Sequence, residues 1–398
     1  MRQPTFLCLA SYYKGTAFLK ACHDLGIRTI LLTLESLKDK EWPWEYVDER
    51  FFMPDLYKQP DVTHAVSFLA RERPIDRIVP LDDFDVETAA SLREHLRCPG
   101  MGDTTARYFR DKLAMRVQAR DCGIRVPDFV GILNYQDVAN YAETVSPPWV
   151  LKPRSEAGSV GIKKVYSPEE LWEHIHALGD KQSYYLAEKY VKGDVFHVDS
   201  VVYDTKVLFG RAHKYGVPPF DVWNHGGVFS SESLPLSSKL SKELLKLNEK
   251  MVKAMGLVRG VTHTEFIQGE DGELFFLEKA ARVGGANIDK LVEASSDIDL
   301  WREWARLELA NLNKEPYKIP VARKDNSGLL VCLAKDKNPD MSIFDAPEVV
   351  WKEGKDHHAC IILAAKSADR IGELMKEYKE KLQTNVLAVA PPTDKAVH

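Results

Sequence analysis

The stretch GVTHTEFIQGEDGELFFLEKAARVGGANI, residues 260–288, decides how this chain is read. Two strand-forming runs flank Asp271-Gly272, the pair that favours a two-residue type I′ turn, so the stretch predicts a β-hairpin. With those residues as the turn, Glu270 pairs with Glu273, and counting outward sets Glu265 directly opposite Glu278. Like charges facing each other destabilise a sheet. Two carboxylates about 5 Å apart, flanked by Phe266, Phe276 and Leu277, make sense when a divalent cation sits between them, and oxygen donors of this kind suit magnesium bridging nucleotide phosphates. Two other readings stay open: a slipped hairpin whose five-residue loop separates the glutamates, and a glutamate kept protonated. His263 shares a strand face with Glu265 two residues on. It is read either as part of that site or as a core histidine bonded to backbone.

Upstream, LKPRSEAGSVGI (151–162) places Lys152 at a strand end, followed by a loop with Ser155, Gly158, Ser159 and Gly161. Small residues let backbone N–H groups approach phosphate oxygens, and a lysine adds a compact positive charge. A glycine loop in an ordinary hairpin has the same composition. In YLAEKYVKGDVFHVD (185–199) the strand ends at Glu188 and a linker runs from Lys189 to Gly193. Its backbone could meet an adenine edge while a carboxylate binds ribose hydroxyls; the plainer reading is a β-connection with surface charges. AHKYGVPPFDVWNHGGVF (212–229) brackets His225 and aromatic residues between Pro218-Pro219 and Gly226-Gly227, which suits a loop lining a small-molecule pocket or a plain long loop.

The first hundred residues alternate TFLCLA (5–10), a helix to about residue 25, RTILLTL (28–34), a helix over 62–72 and RIVPL (77–81). That rhythm predicts a parallel sheet with helices on its faces. No GxGxxG follows the first strand, which argues against a dinucleotide site there. Asp82 and Asp83 follow a strand end, where a carboxylate either holds a substrate ammonium group or caps a helix. A helix is expected over 103–122, then α+β texture to about 280 with helices near 168–178 and 238–255. The tail carries strands 329–334, 359–365 and 385–390 around a helix 367–382.

Length and composition bound the rest. A chain of 398 residues is expected to form two or three domains, and 44% hydrophobic with 28% charged residues is ordinary for a globular protein. Lys plus Arg number 54 against 59 Asp plus Glu, a net charge of −5, which argues against a general nucleic-acid binder. No apolar run approaches a membrane span or a signal peptide, so no membrane association and a cytoplasmic location are expected. Six scattered cysteines without CxxC spacing predict reduced thiols.

With these stretches in this order, the chain resembles the ATP-grasp superfamily of carboxylate–amine ligases over about residues 1–310. The resemblance implies an α/β and α+β architecture. It comprises an N-terminal parallel α/β domain (1–100), a small lid and linker region (101–190), a large subdomain with the metal site (191–315) and a small C-terminal α+β domain (316–398). It also implies ATP with Mg2+ or Mn2+ as cofactors. Lys112 and Lys152 match the two ATP lysines, and 155–161 looks like the phosphate-covering loop. Glu188, Lys189, Tyr190 and Val191 look like the adenine-binding hinge, and Lys214 is similar to a lysine that touches the terminal phosphate. Glu265 and Glu278 match the metal ligands. Arg282 matches the arginine that stabilises an acyl-phosphate, with His263 beside it, and Asp83, His225, Gly284 and Gly285 fall on the substrate side.

Two departures stand out. Ala280 replaces a common asparagine two residues after the second metal carboxylate, and Val195 replaces the usual ribose-binding glutamate, leaving Asp194 as substitute. THTE followed by E-x-A-A-R is similar to the L-amino-acid (dipeptide) ligases, which also lack that asparagine. The activity implied is ATP-dependent amide formation between amino acids through an acyl-phosphate, by an enzyme that is a homodimer in many relatives. The competing expectations are a bicarbonate- or formate-activating relative and a nucleotide-binding regulator without turnover.

Overall fold

The computed structural model describes residues 2–158, 160–218 and 227–388. The chain opens with four strands, β1 (Thr5–Ala10), β2 (Arg28–Leu34), β3 (Glu49–Met53) and β4 (Arg77–Pro80), paired in parallel in the order β3-β2-β1-β4. Helices α1 (Thr16–Asp24) and α2 (Asp61–Ala70) form the crossovers from β1 to β2 and from β3 to β4, and α3 (Val86–Leu96) follows β4. Every residue of β1 is buried, as a parallel strand covered on both faces requires. Leu7 and Leu9 pack with Ile30, Val62 and Val66 on one face, while Phe6 and Cys8 join Leu31 and Val79 on the other. The edge strand β3 was not expected; its ERFFM sequence is half-exposed and carries no apolar alternation.

The helix expected over 103–122 is two, α4 (Asp103–Arg107) and α5 (Lys112–Asp121). Asp111 separates them, accepting from the N–H groups of Leu113 and Ala114 at 2.9 and 3.2 Å as an N-cap. A second sheet follows, formed by β5 (Phe129–Gly131), β6 (Trp149–Pro153), β7 (Lys163–Val165) and β8 (Tyr185–Lys189) in the antiparallel order β5-β8-β6-β7. It is backed by α6 (Tyr135–Thr144) and α7 (Pro168–Leu178) around Trp149, Leu171 and Ile175.

The third sheet holds eight antiparallel strands: β9 (Gly193–Tyr203), β10 (Lys206–Tyr215), β11 (Phe229–Ser233), β12 (Gly260–Gly269), β13 (Leu274–Ala280), β14 (Asn326–Leu333), β15 (Val349–Lys355) and β16 (His358–Ala365). Their order is β13-β12-β9-β10-β11-β14-β16-β15. Helix α8 (Lys239–Met255) packs on one face over Phe196, Phe266 and Phe276, while α9 (Ile288–Ser296) and α10 (Leu300–Asn313) pack with Val201 and Val261 on the other. Through α10 this second face also meets the N-terminal unit, where Phe18 stacks edge-on against Trp304 at 5.5 Å. The C-terminal strands continue this same sheet through β11 and β14, with their own core under α11 (Ala368–Asn385). In place of the last expected strand, α11 runs to Asn385 and Leu387 makes an isolated bridge to Ala334, while residues 389 and 390 lie outside the described residues. No described helix is long and apolar enough to cross a membrane.

Candidate nucleotide and metal site

The hairpin β12–β13 departs from the simplest reading and still reaches the same pairing. Gln268 pairs with Leu274, so the loop takes in residues 269–273, closed by Gly269 N donating to Glu273 O at 2.9 Å. The register next to the loop is therefore one residue away from that of a two-residue turn. A β-bulge at Leu277 then restores it, setting Glu265 opposite Glu278. The five-residue loop and the facing glutamates thus coexist. The bulge also turns two successive residues, Leu277 and Glu278, toward one cavity.

That cavity, about 160 Å³, lies between the second sheet and the edge of the third. Lys152 and Val150 of β6 and the segment Glu188–Val191 form one wall, and Val195, Glu265, Ile267, Leu277 and Glu278 form the other. Lys112, at the first turn of α5, reaches in between: its Nζ lies 3.1 Å from Glu278 Oε2 and donates to Glu156 O at 2.5 Å. Burial alone would raise the Glu278 carboxyl, but Lys112 and Lys152 outweigh it and hold it below the usual range. Lys152 is buried against Glu188, whose other oxygen accepts from Arg116 Nε at 2.9 Å. Burial, helped by Arg116 and Lys112, lowers the Lys152 ammonium to about 8 despite Glu188. The charges of Arg116 and Lys152 overcome the burial of Glu188 and keep it ionised below the ordinary range.

Glu188 thus lies at the cavity as a buried hub, with Lys189, Tyr190 and Val191 continuing the wall. The Lys164 ammonium sits 3.7 Å over the Tyr190 ring, and Tyr190 N donates to Pro148 O at 3.0 Å. Gly158 lines the cavity with φ +66°, a left-handed conformation that favours glycine. Ser155 stands back from the cavity wall, its carbonyl accepting from Arg110. Ser159 and His225 lie outside the described residues.

Two expectations are corrected by strand parity. Lys214 pairs with Phe196, on the face of the sheet covered by α8, whereas Glu265 shares the opposite face with His197. Lys214 Nζ is bound there to Asp194 at 2.7 Å, and neither residue lines the cavity. Lys214 is thus no phosphate ligand in this arrangement, and Asp194 is not placed for ribose.

On the Glu265 face lies a polar network that the sequence reading missed. Asp199 accepts from His197 Nδ1 at 2.7 Å and from His263 Nδ1 at 2.8 Å, and His213 Nδ1 is 3.6 Å away. Tyr215 donates to Glu265 Oε1 at 2.8 Å, and His263 Nε2 is 3.5 Å from the same oxygen. Burial would lower His263, yet Asp199 and Glu265 raise it to about 9. Burial lowers His213 to about 3, a neutral ring. His197, Asp199 and His213 bring donor atoms within 4.8 Å of one another, but the His197 and His213 rings are stacked at 4.7 Å and Asp199 is taken up by hydrogen bonds. The available signal was polar residues two apart, His197 and Asp199, inside an otherwise apolar strand. Gly284 packs against this network, since a Cβ there would meet His263 Nδ1 at 3.1 Å, while Gly285 faces open space.

Beyond the cavity, Arg282 Nη2 binds Asp83 Oδ2 at 2.9 Å, and Arg110 Nη1 stands 3.8 Å from the same oxygen. Asp82 is the residue that caps, accepting from Phe84 N at 3.1 Å and from Lys14 at 3.3 Å. Burial works against the Asp83 charge, but Arg282 and Arg110 hold its carboxyl well below the usual range.

As a donor set, Glu265 and Glu278 fit a hard divalent cation: both are carboxylates, on facing strands, at one cavity. The family profile described as an ATP-grasp domain matches residues 145–290, which span both walls. The L-arginine-specific L-amino acid ligase of Bacillus subtilis is 28% identical over 281 residues, 69% of this chain and 66% of that protein, so the match spans about two thirds of its length. A D-alanine–D-alanine ligase of Aquifex aeolicus is 29% identical over 212 residues, 53% of this chain and 72% of its own. Among solved structures, an L-amino acid ligase from Bacillus licheniformis superposes with a TM-score of 0.76 at 18% identity, covering 98% of this chain and 99% of that one. Residues 145–290 match an ATP-grasp domain, and motif order, the cavity and the fold of the chain agree with that match.

Proposed function

We propose that this protein is an ATP-dependent carboxylate–amine ligase that joins an amino acid to an amine, most simply a second L-amino acid, and releases ADP and phosphate. The observation that carries the reading is the facing pair Glu265 and Glu278 at a cavity that also holds Lys112 and Lys152. The similarity to amino acid ligases supports the substrate class. In this reading the carboxylate of one substrate attacks the γ-phosphorus of ATP, ADP leaves, and the amine of the second displaces phosphate from the acyl-phosphate.

Such a transfer needs charge neutralised and atoms positioned more than it needs covalent help. Lys112 and Lys152 offset phosphate charge, and Glu188–Val191 with Leu277 form the wall for the base. Magnesium held by Glu265 and Glu278 would supply further charge neutralisation at the phosphate oxygens. Arg282, held by Asp83, and His263, held by Asp199, carry fixed positive charge toward the oxyanion.

Incubation with ATP, magnesium and pooled L-amino acids tests this directly. Amino-acid-dependent phosphate and a new dipeptide mass are expected. Phosphate release that follows bicarbonate or formate instead would move the protein to that substrate class, nucleotide binding without turnover would make it a regulator, and AMP with pyrophosphate would exclude the acyl-phosphate route. Glu278→Gln should abolish turnover while the folded state persists; near-normal activity would remove the metal assignment.

A further inference from the structure

A second cavity, about 170 Å³, shares no lining residue with the first. It opens between β4, α3 and α4 of the N-terminal region and the segment Gly256–Val261 with α10. Arg77, Arg93 and Arg259 line it, with Glu308 as the one carboxylate on its wall. Arg77 Nε and Arg259 Nε share a single oxygen, Glu308 Oε2, at 3.0 and 2.8 Å. Among the described residues Arg93 has no carboxylate partner: it donates to the carbonyl of Ile78 at 2.6 and 2.9 Å and to that of Met101 at 3.1 Å. Arg77 also reaches Asn311 Oδ1 at 2.8 Å and its own neighbour Asp76 O at 2.8 Å, and Arg259 reaches Pro99 O at 3.1 Å. These bonds use at most three of the five N–H groups on each guanidinium, so donors remain on all three.

Three fixed positive charges thus face one negative charge around a space large enough for a small ion. A pure interdomain clamp would match carboxylates to guanidiniums, because uncompensated buried charge is costly. Desolvation, with repulsion among these arginines and against the pull of Glu308, depresses Arg77 and lowers Arg93 to about 10. Guanidinium forks held by their own hydrogen bonds present parallel N–H pairs, the geometry that recognises oxygen pairs of phosphate or sulfate.

We propose that this interdomain cavity is a binding site for a small tetrahedral oxoanion, free or as the phosphoryl group of a small ester, held by Arg77, Arg93 and Arg259. The site abuts the proposed reaction centre from behind, since Pro80 and Ala281 on its wall stand three and one residues from Asp83 and Arg282.

The intact protein, crystallised and soaked in tungstate, should show anomalous density between the three arginines. In solution, inorganic phosphate and sulfate should raise the unfolding temperature above matched ionic strength in chloride, with glycerol 3-phosphate as the ester probe. Arg259→Gln should weaken the effect about tenfold, and Thr105→Glu, which keeps every arginine and adds a carboxylate at the rim, should remove it. Lys152→Met, in the nucleotide cavity, should retain it. Stronger binding of glycerol 3-phosphate than of phosphate would identify the ester as the source. Tungstate density confined to the nucleotide cavity, or a stabilisation lost in Lys152→Met and kept in Thr105→Glu, would overturn the proposal.

Discussion

Asp85 is fully buried beside β1, where its oxygens accept from the N–H of Ser11 at 3.0 Å and from the Ser11 hydroxyl. Burial outweighs those hydrogen bonds and pushes its carboxyl up to about 7, whereas in an unfolded chain an aspartate titrates near 3.9. Between these values the folded protein keeps a proton that the unfolded chain has released, so stability falls as pH rises. The contribution is complete below about pH 4 and is lost as pH passes through the folded value. Asp85→Asn fixes the neutral form. Its stability relative to the wild type should therefore climb between pH 4.5 and 7.5 in urea melts, and a difference that stays constant over that window would show that Asp85 is ionised throughout.

At the scale of elements, α5 is tied to two sheets through one side chain. Arg116, fully buried, binds Glu188 of β8 and donates to the carbonyl of Leu277, the bulge residue of β13. Arg116→Met strands a buried carboxylate with only Lys152 to balance it, and should cost about 3–5 kcal/mol in denaturant unfolding. Arg120→Met on the exposed side of the same helix should cost little; equal losses would mean that the tie carries no special weight. The same contact explains what the sequence concealed. Opposition of Glu265 and Glu278 was readable from strand period and spacing, and so was the α/β alternation of the first hundred residues. The bulge was not, because it is gripped from outside the hairpin by Arg116 and by Phe276 N donating to Arg125 O at 2.9 Å. Lys214 failed for a related reason: a strand's parity fixes which residues share a face, but only its neighbours decide which face looks into the cavity. The Asp199 network escaped because its members come from β9, β10 and β12, and the third histidine is brought in by pairing alone.

Across the whole molecule, the three sheets converge on one place but divide the work. The cavity proposed for the nucleotide is built from α5 and from the second and third sheets, with no residue of the N-terminal sheet on its wall. The turn after β4 reaches Arg282 through Asp83, which holds it at 2.9 Å across 199 positions of sequence. Arg282 is buried and charged, and its largest counter-charge, Asp83, comes from the N-terminal unit. If the ligase reading holds, nucleotide binding and amide formation are separable. Asp83→Asn keeps the side-chain shape and removes the charge that orients Arg282. MgATP affinity, measured by calorimetry, should stay within about twofold, while kcat/KM for the amino-acid substrate falls roughly a hundredfold. A parallel loss of nucleotide affinity would mean that Asp83 clamps the whole site, and unchanged values of both would place the acceptor chemistry away from Arg282. Either result would redraw how the N-terminal unit participates, because among the described residues Asp83 is its one carboxylate paired with the arginine that follows the hairpin of Glu265 and Glu278.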